Sequence, residues 1–562
     1  MSNKRKIDNT INQINDSNKK RKTYIRASSV SNYMMKDCLV DYINNKNNTG
    51  TITNNTMEQG NIFERELLKI ISSKHTVAIP ELLNYNETVA LMSKGENIIY
   101  QGYLLDGNNI GGSPDLIVKS TYINKLIESN IITEEEAIKE SVINGITYSY
   151  HYIIIDIKHS KIHLTGKHIK NTNRIPAYKA QLYIYTRILN KIQNFNINKA
   201  YIWGKEYSDG SYFLNSLGLI DYDAFDKDYI HKTNNAIDWI DTLNTQDLSV
   251  SPPTISNLYP NMKSVSLIKE KKEINDSIND ITTIWHCGIK QREKAFGHNI
   301  FSWKDERLSA ELLGFKNDKA EIINNILNIN QQDVHKIRIT KPIVLNCKNN
   351  SMAVFLDFEG FSEKVNCNIK DGEILETNKY YIYMIGIGYM DNNKWFYKSF
   401  ILEKLSFENQ INLFNSVFYY LRTLMRQMKK NYIHFYHWSH YEKTFFNKLK
   451  DDLKLCIPDD NYDFNDLCKV FEKSVVIKDC FNFKLKDVSS ALYKNNIIST
   501  CYNSDNNIVN GLDAANVALN LYNSGCKNKI KNNSVMKSIE EYNEVDCKLV
   551  CELYTLIKNL NI

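Results

Sequence analysis

The stretch VFLDFEGF, residues 354–361, sets two carboxylates into a run that is otherwise almost wholly apolar. Its Val, Phe and Leu residues predict a buried strand, and side chains two apart on a strand share a face, so Asp357 and Glu359 point the same way. Two neighbouring acids in a core repel each other and lose their water. A divalent cation would offset that cost, which makes the pair part of a candidate metal site.

A second pair of charged residues stands far upstream. In YIIIDIKHS, residues 152–160, Asp156 and Lys158 lie on one face of a predicted strand together with Ile154. In GGSPDLIVKS, residues 111–120, a Gly-Gly-Ser-Pro turn delivers Asp115 to the mouth of a strand. An Asp and a Lys two apart are usually an ordinary ion pair. That reading weakens beside Glu64 in GNIFERELL and beside AYKAQLYIY, where Gln181 and Tyr185 are one helical turn apart.

The elements that must position these groups follow from periodicity and punctuation. Helical patterns cover residues 28–46 and 58–73, strand-like runs cover 111–119 and 150–158, and a helix begins near Ala177. Pro252 and Pro253 mark a boundary, and residues 258–338 read as helical. Downstream, NYIHFYHWSHYEKTFFNKL predicts a strand and then a helix starting near Ser439. The closing segment EEYNEVDCKLVCELYTLI is a helix whose apolar stripe is Val545, Leu549, Leu553, Leu556 and Leu560. Asp546 sits beside that stripe and Tyr542 one turn earlier. The expected organisation is a disordered basic tail at 1–26, an α/β domain at 27–250, a helical connector at 251–342 and a second α/β domain at 343–562.

Glu64, Asp115, Asp156 with Lys158, and Gln181 with Tyr185, in that order, resemble the RecB-like branch of the PD-(D/E)xK nucleases, which implies a restriction-endonuclease-like fold. By that resemblance Asp115 and Asp156 are metal ligands assisted by Glu64. Lys158 is the base or charge stabiliser, and Gln181 and Tyr185 brace the site and touch the nucleic-acid backbone. Many such relatives hold an iron–sulfur cluster on four cysteines. Here Cys38 fits the early position and Cys287 alone stands between it and Cys347, so no cluster is expected.

The order Asp-x-Glu, an acid after a second strand, then Tyr-x-x-x-Asp resembles the RNase H-like 3′–5′ exonucleases of the DEDD group in their tyrosine version. It implies Asp357, Glu359, Glu442 and Asp546 as ligands of two Mg²⁺ or Mn²⁺ ions, with Tyr542 orienting the nucleophile. The third ligand is open: Ser439 to Glu442 also reads as a capping box, and Asp466 in YDFNDLC is the reserve. His434, His437 and His440 read as core or loop histidines, since the first two face opposite ways on a strand. Between the regions, the segment around Gly297 and Ile300 faintly resembles a helix-hairpin-helix module but reads more readily as an inert helical spacer. The whole order resembles a fused two-nuclease family whose longer members add a helicase. No phosphate-binding G-x-x-x-x-G-K-[ST] occurs in this sequence, so nucleic acid, DNA before RNA, is the expected partner and any helicase would be a separate chain.

Composition narrows the classes. The chain has 562 residues, 43% of them hydrophobic and 24% charged, which is ordinary for a globular protein of two or three domains. No membrane span or signal-peptide core is evident, and the eleven cysteines lack any Cys-x-x-Cys, so an intracellular protein with reduced thiols is expected. Residues 1–26 hold eight Lys and Arg against two Asp, a net charge equal to the +6 of the whole chain. Two basic clusters twelve residues apart resemble a bipartite nuclear import signal, leaving nuclear and cytoplasmic locations both open. The expected activity is metal-dependent nuclease action on DNA, at ends or in single strands. An RNA-processing exonuclease and a nucleic-acid-binding protein with inactive sites are the alternatives.

Overall fold

A computed structural model of the chain describes residues 24–47, 55–107, 109–251, 258–261, 266–332, 334–345, 348–364, 368–370, 373–375, 378–452, 461–502, 511–524 and 530–560. The basic tail up to residue 23, the Pro252-Pro253 boundary and Cys347 lie outside them. The fold is mixed α/β and divides into two compact units, residues 1–274 with 366–376, and residues 275–365 with 377–562. Among the described residues no helix is long and apolar enough to cross a membrane.

The first unit is organised by an eleven-residue strand. Helix α1 (Asn55–Lys74) carries Glu64, strands β1 (Ile98–Tyr100) and β2 (Leu116–Lys119) follow, and β3 (Tyr152–Ile162) is the long central strand. Helix α2 (Ile175–Ile192) has Pro176 in its first turn, where a missing N–H costs nothing, and leads into β4 (Lys199–Tyr207). The antiparallel neighbours β1, β2 and β3 are joined by β4, which runs parallel to β3 through the α2 crossover. Strands Gly218–Asp221, His168–Ile169 and Leu164–Thr165 extend the sheet to seven. The isoleucine run of β3 is buried from Tyr152 to Ile157, as a strand covered on both faces requires. Asp156 is therefore carried into the core by its own strand and lies 1% exposed.

The second unit is built on a five-stranded sheet. Helix α3 (Asn317–Gln331) precedes β5 (Ser351–Lys364), β6 (Asn378–Asp391) and β7 (Lys394–Ile401). Helix α4 (Phe407–Gln427), β8 (Tyr432–His437), α5 (Tyr441–Asp452) and β9 (Tyr462–Asp466) follow. Then come α6 (Leu467–Ser474), α7 (Leu485–Lys494) and the long α8 (Ser534–Leu560). The strand order is β7-β6-β5-β8-β9, with β6 antiparallel to both neighbours and β5, β8 and β9 mutually parallel. Alternation along β5 divides two cores. Val354, Leu356 and Phe358 cluster with Leu413, Phe414, Val417 and Leu421 of α4. Phe355 clusters with Ile326 and Ile329 of α3 and with Val550, Leu553 and Ile557 of α8. Each such fully buried side chain contributes roughly 1.5–3 kcal/mol.

Within the expected connector, Ile281, Ile284, Ala295, Ile300, Leu308 and Leu313 form a core with Ala320, Ile323 and Leu327 of α3, whose Ile326 and Ile329 pack with β5 and α8. After the helix Ile289–Gly297 the chain runs through turns and the next helix starts at Asn317, so no second helix directly follows the Gly297 turn. The buried face of α8 includes Leu549 and Leu553 of the predicted stripe but is otherwise set by Ile539, Tyr542, Asn543, Asp546, Val550 and Ile557, while Leu560 is exposed. Asp546 stands in the middle of that face, because cysteines, an asparagine and a tyrosine complete it where aliphatic residues were expected.

Candidate metal centres

On β5, Asp357 and Glu359 continue the face of Phe355, and the ladder to β6 slips by one residue directly after Glu359. That bulge lets the chain beyond it turn Phe361 into the α4 core. Helix α8 crosses the same face, and there Asp357, Glu359 and Asp546 converge, with one carboxylate oxygen from each within 4.8 Å of the others. Glu359 and Asp546 are buried. Burial, followed by mutual repulsion, pushes Asp357 and Glu359 well above the usual carboxylate range. Asp546 is pushed up to about 6 by burial, against the hydrogen bonds from Tyr502 and Tyr542 and the charge of Lys486.

Several groups hold this trio that sequence spacing did not reveal. Asn543 donates to Asp357 Oδ2 at 2.6 Å and accepts from Tyr397 Oη at 2.9 Å. A side chain at Gly386 would overlap Asn543 Oδ1, so only glycine there lets Asn543 reach the acid. Tyr502 donates to Asp546, and its ring lies 5.8 Å from that of Tyr542. The Lys486 ammonium stands 4.6 and 5.2 Å above those two rings. Tyr542 is itself buried, and desolvation and then Asp546 raise its hydroxyl pKa, so it stays protonated and donates to Asp546.

Glu442 and Asp466 now part company. The Ser439 amide, which a capping box would direct to Glu442, donates instead to Asp466 Oδ1 at 2.9 Å. The same oxygen caps α6 through Cys468 N at 3.1 Å. Asp466 is thus a structural cap. Glu442 is 4% exposed and its Oε2 lies 3.3 Å from His437 Nδ1 with no hydrogen bond of its own. It falls outside the trio of converging oxygens. Its charge nonetheless acts on Asp357 and Glu359. His434 is buried and bonded to Asp463 at 2.7 Å, and His440 is exposed, so the three histidines form no common centre.

In the first unit the strands place Asp115 at the head of β2 and Asp156 on β3, and α1 brings Glu64. Asp115 Oδ2 accepts from the Ile157 amide at 2.7 Å. Lys158 pairs with Asp156 and lies 3.7 Å from Asp115 Oδ2. Burial opposes the Lys158 charge, but the two aspartates outweigh it and raise its pKa. Burial first, then the Asp156 charge, raises Asp115. Glu64 accepts from Tyr100 at 2.9 Å and from Gln101 at 2.8 Å, partners the spacing did not identify. Among the described residues these three acids do not meet as a converging group. Gln181 donates to Tyr185 at 3.2 Å, and Tyr185 donates to the Ser113 carbonyl at 3.4 Å. Tyr185 is buried, so bracing the turn before Asp115 is what its hydroxyl does. A Cβ at Gly112 would lie 3.0 Å from that hydroxyl.

Cys38 is buried in the first unit and Cys287 in the second. Comparison of the chain with protein-family models, curated proteins and solved structures found no match.

Proposed function

We propose that the chain is a metal-dependent nuclease acting on DNA, with an exonuclease site in the second unit and a separate RecB-like site in the first. The observation that carries the reading is the convergence of Asp357, Glu359 and Asp546 in a buried setting. Three such carboxylates are costly without a cation, and an all-oxygen donor set suits Mg²⁺ or Mn²⁺. The strand order β7-β6-β5-β8-β9 with β6 reversed supports an RNase H-like sheet, with the acids on its central strand. The meander β1-β2-β3 followed by α2 and parallel β4 supports a restriction-endonuclease-like core.

In this reading Asp357, Glu359 and Asp546 hold the ion and Glu442 stands behind them. A bound ion would activate water and stabilise the leaving oxygen of a phosphodiester. Asn543 fixes the rotamer of Asp357, and Tyr502 fixes Asp546. Tyr542 keeps a proton-bearing hydroxyl on Asp546. In the first unit, Asp115 and Asp156 are the ligands, Glu64 assists, and Lys158 supplies positive charge to a phosphate. Because Lys158 already pairs with Asp156 and lies 3.7 Å from Asp115, a second reading of that unit has an observation behind it: a nucleic-acid platform without turnover.

The test is purified full-length protein with Mg²⁺ or Mn²⁺ on linear, nicked, circular and single-stranded DNA and on RNA. Mononucleotides released stepwise from a free 3′ end of DNA support the reading. No cleavage of any DNA overturns it, and cleavage of RNA alone redirects it to RNA processing.

A further inference from the structure

We propose that the outer surface formed by α4 and β7 is an anchoring site for single-stranded DNA, separate from the carboxylate trio; this rests on the nuclease reading above. Register separates the two surfaces. Across the sheet Asp357 pairs with Gly386 and Gly386 with Ser399, whereas Leu356 pairs with Ile387 and Ile387 with Lys398. Directly opposed residues share a face, so Lys398 lies on the face opposite to Asp357, over α4. Strand β7 is the end of the sheet, so this surface opens at a sheet edge.

The chemistry of the surface points to a polyanion with stackable rings. An open cleft of about 590 Å³ is lined by Lys398, Phe400, Asn412, Asn415, Tyr419 and Tyr420, with no acidic residue in its wall. Tyr419 is 76% exposed, the most exposed aromatic side chain among the described residues. The Lys398 ammonium stands 4.2 Å from the Tyr420 ring, beside the place a phosphate would take. Along α4, Asn415, Tyr419, Arg422 and Arg426 are all exposed and follow one another at spacings of four, three and four, so they form a single stripe. From Asn409 to Tyr441 the chain has four Lys and Arg and no Asp or Glu, in a protein whose charges otherwise nearly balance, 70 against 64. An aromatic face between fixed cations and amide groups is the arrangement that stacks a base and follows a backbone without reading sequence.

The experiment measures binding of a labelled oligothymidylate of about 16 nucleotides to the full-length chain in EDTA, where the metal sites cannot turn over. Tyr419→Ala is expected to weaken binding about tenfold, while Tyr419→Phe retains it. Arg422→Gln with Arg426→Gln should weaken binding and lower the slope of log affinity against log salt by about 1.4. Thermal midpoints should stay at the parental value, since all three side chains are exposed. A parent that binds while every variant binds equally overturns the anchor and leaves the nuclease reading standing. A parent that binds oligouridylate but not oligothymidylate overturns the choice of DNA, and one that binds no nucleic acid overturns both.

Discussion

In the first unit Lys158 stands against Asp156 and within 3.7 Å of Asp115, so the buried acids carry their own counter-charge. In the second, Asp357, Glu359 and Asp546 converge, and among the described residues no Lys or Arg nitrogen forms an ion pair with them. Lys486 stands over the rings of Tyr502 and Tyr542, and its charge acts on Asp546 without an ion pair. The contrast separates two ways of keeping carboxylates in a core. One is offset in part by a lysine of its own; the other is left with a repulsion that protons or a cation must relieve.

The largest expected effect breaks the comparison in function. Asp357→Asn should lower stepwise release of mononucleotides from a free 3′ end on the order of 10³-fold or more, while leaving any cutting that depends on Asp156. Asp156→Asn should do the reverse. Oligonucleotides labelled and blocked at either end separate the two products, and loss of every product in each single variant would show that the sites are not independent.

Next comes stability. Lys158→Met leaves two buried aspartates without their partner and should cost about 3–5 kcal/mol in denaturant unfolding of the metal-free protein. Removing a charge from the other cluster should act in the opposite sense, so Asp357→Asn should unfold at the same or a higher denaturant concentration. A destabilised Asp357→Asn would mean that the trio's repulsion is relieved by something other than an ion.

A metal titration sharpens the same contrast. Mn²⁺ at about a hundred times its dissociation constant should stabilise the parent by about 2.7 kcal/mol. That gain should vanish in Asp357→Asn and largely persist in Asp156→Asn. Equal losses in the two variants would place comparable ion affinity in both units.

The smallest effect is on pH. With Asp546 pushed up to about 6, the folded metal-free protein binds more protons than the unfolded chain between the usual carboxylate value and that point. Its stability should therefore be greatest at the acid end of that window and fall as pH rises through it. Saturating Mn²⁺ competes with the protons and should invert the slope. Thermal melts across the window with and without metal give both signs, and a metal-free protein that gains stability with pH there would contradict the protonated trio.

Much of this arrangement was legible because it is local. Two-residue periodicity alone puts Asp357 with Glu359 and Asp156 with Lys158 on common faces, and a helical turn alone aligns Tyr542 with Asp546 and Gln181 with Tyr185. The isoleucine run of β3 announces a strand covered on both sides. These relations need only φ/ψ geometry within one element, so they survive whatever the element packs against. The α8 stripe was legible only in part, at Leu549 and Leu553, because a helix facing a polar centre also buries tyrosine, asparagine and aspartate, which hydrophobic periodicity counts as exposed.

Tertiary packing decided the rest. Which acid after β8 is free for a ligand role turned on the Ser439 amide bonding Asp466 across 27 residues. The support of Asp357 by Asn543 spans 186 residues and depends on a glycine at 386 that the motif does not mention. The sequence alone determined which residue types could share a face and hence which acids were candidates for a metal site. Only the folded chain determined that Lys158 would also reach Asp115 while the other acid cluster formed no ion pair with a lysine, because charge compensation is a matter of distance in space, and chain spacing does not encode distances between elements.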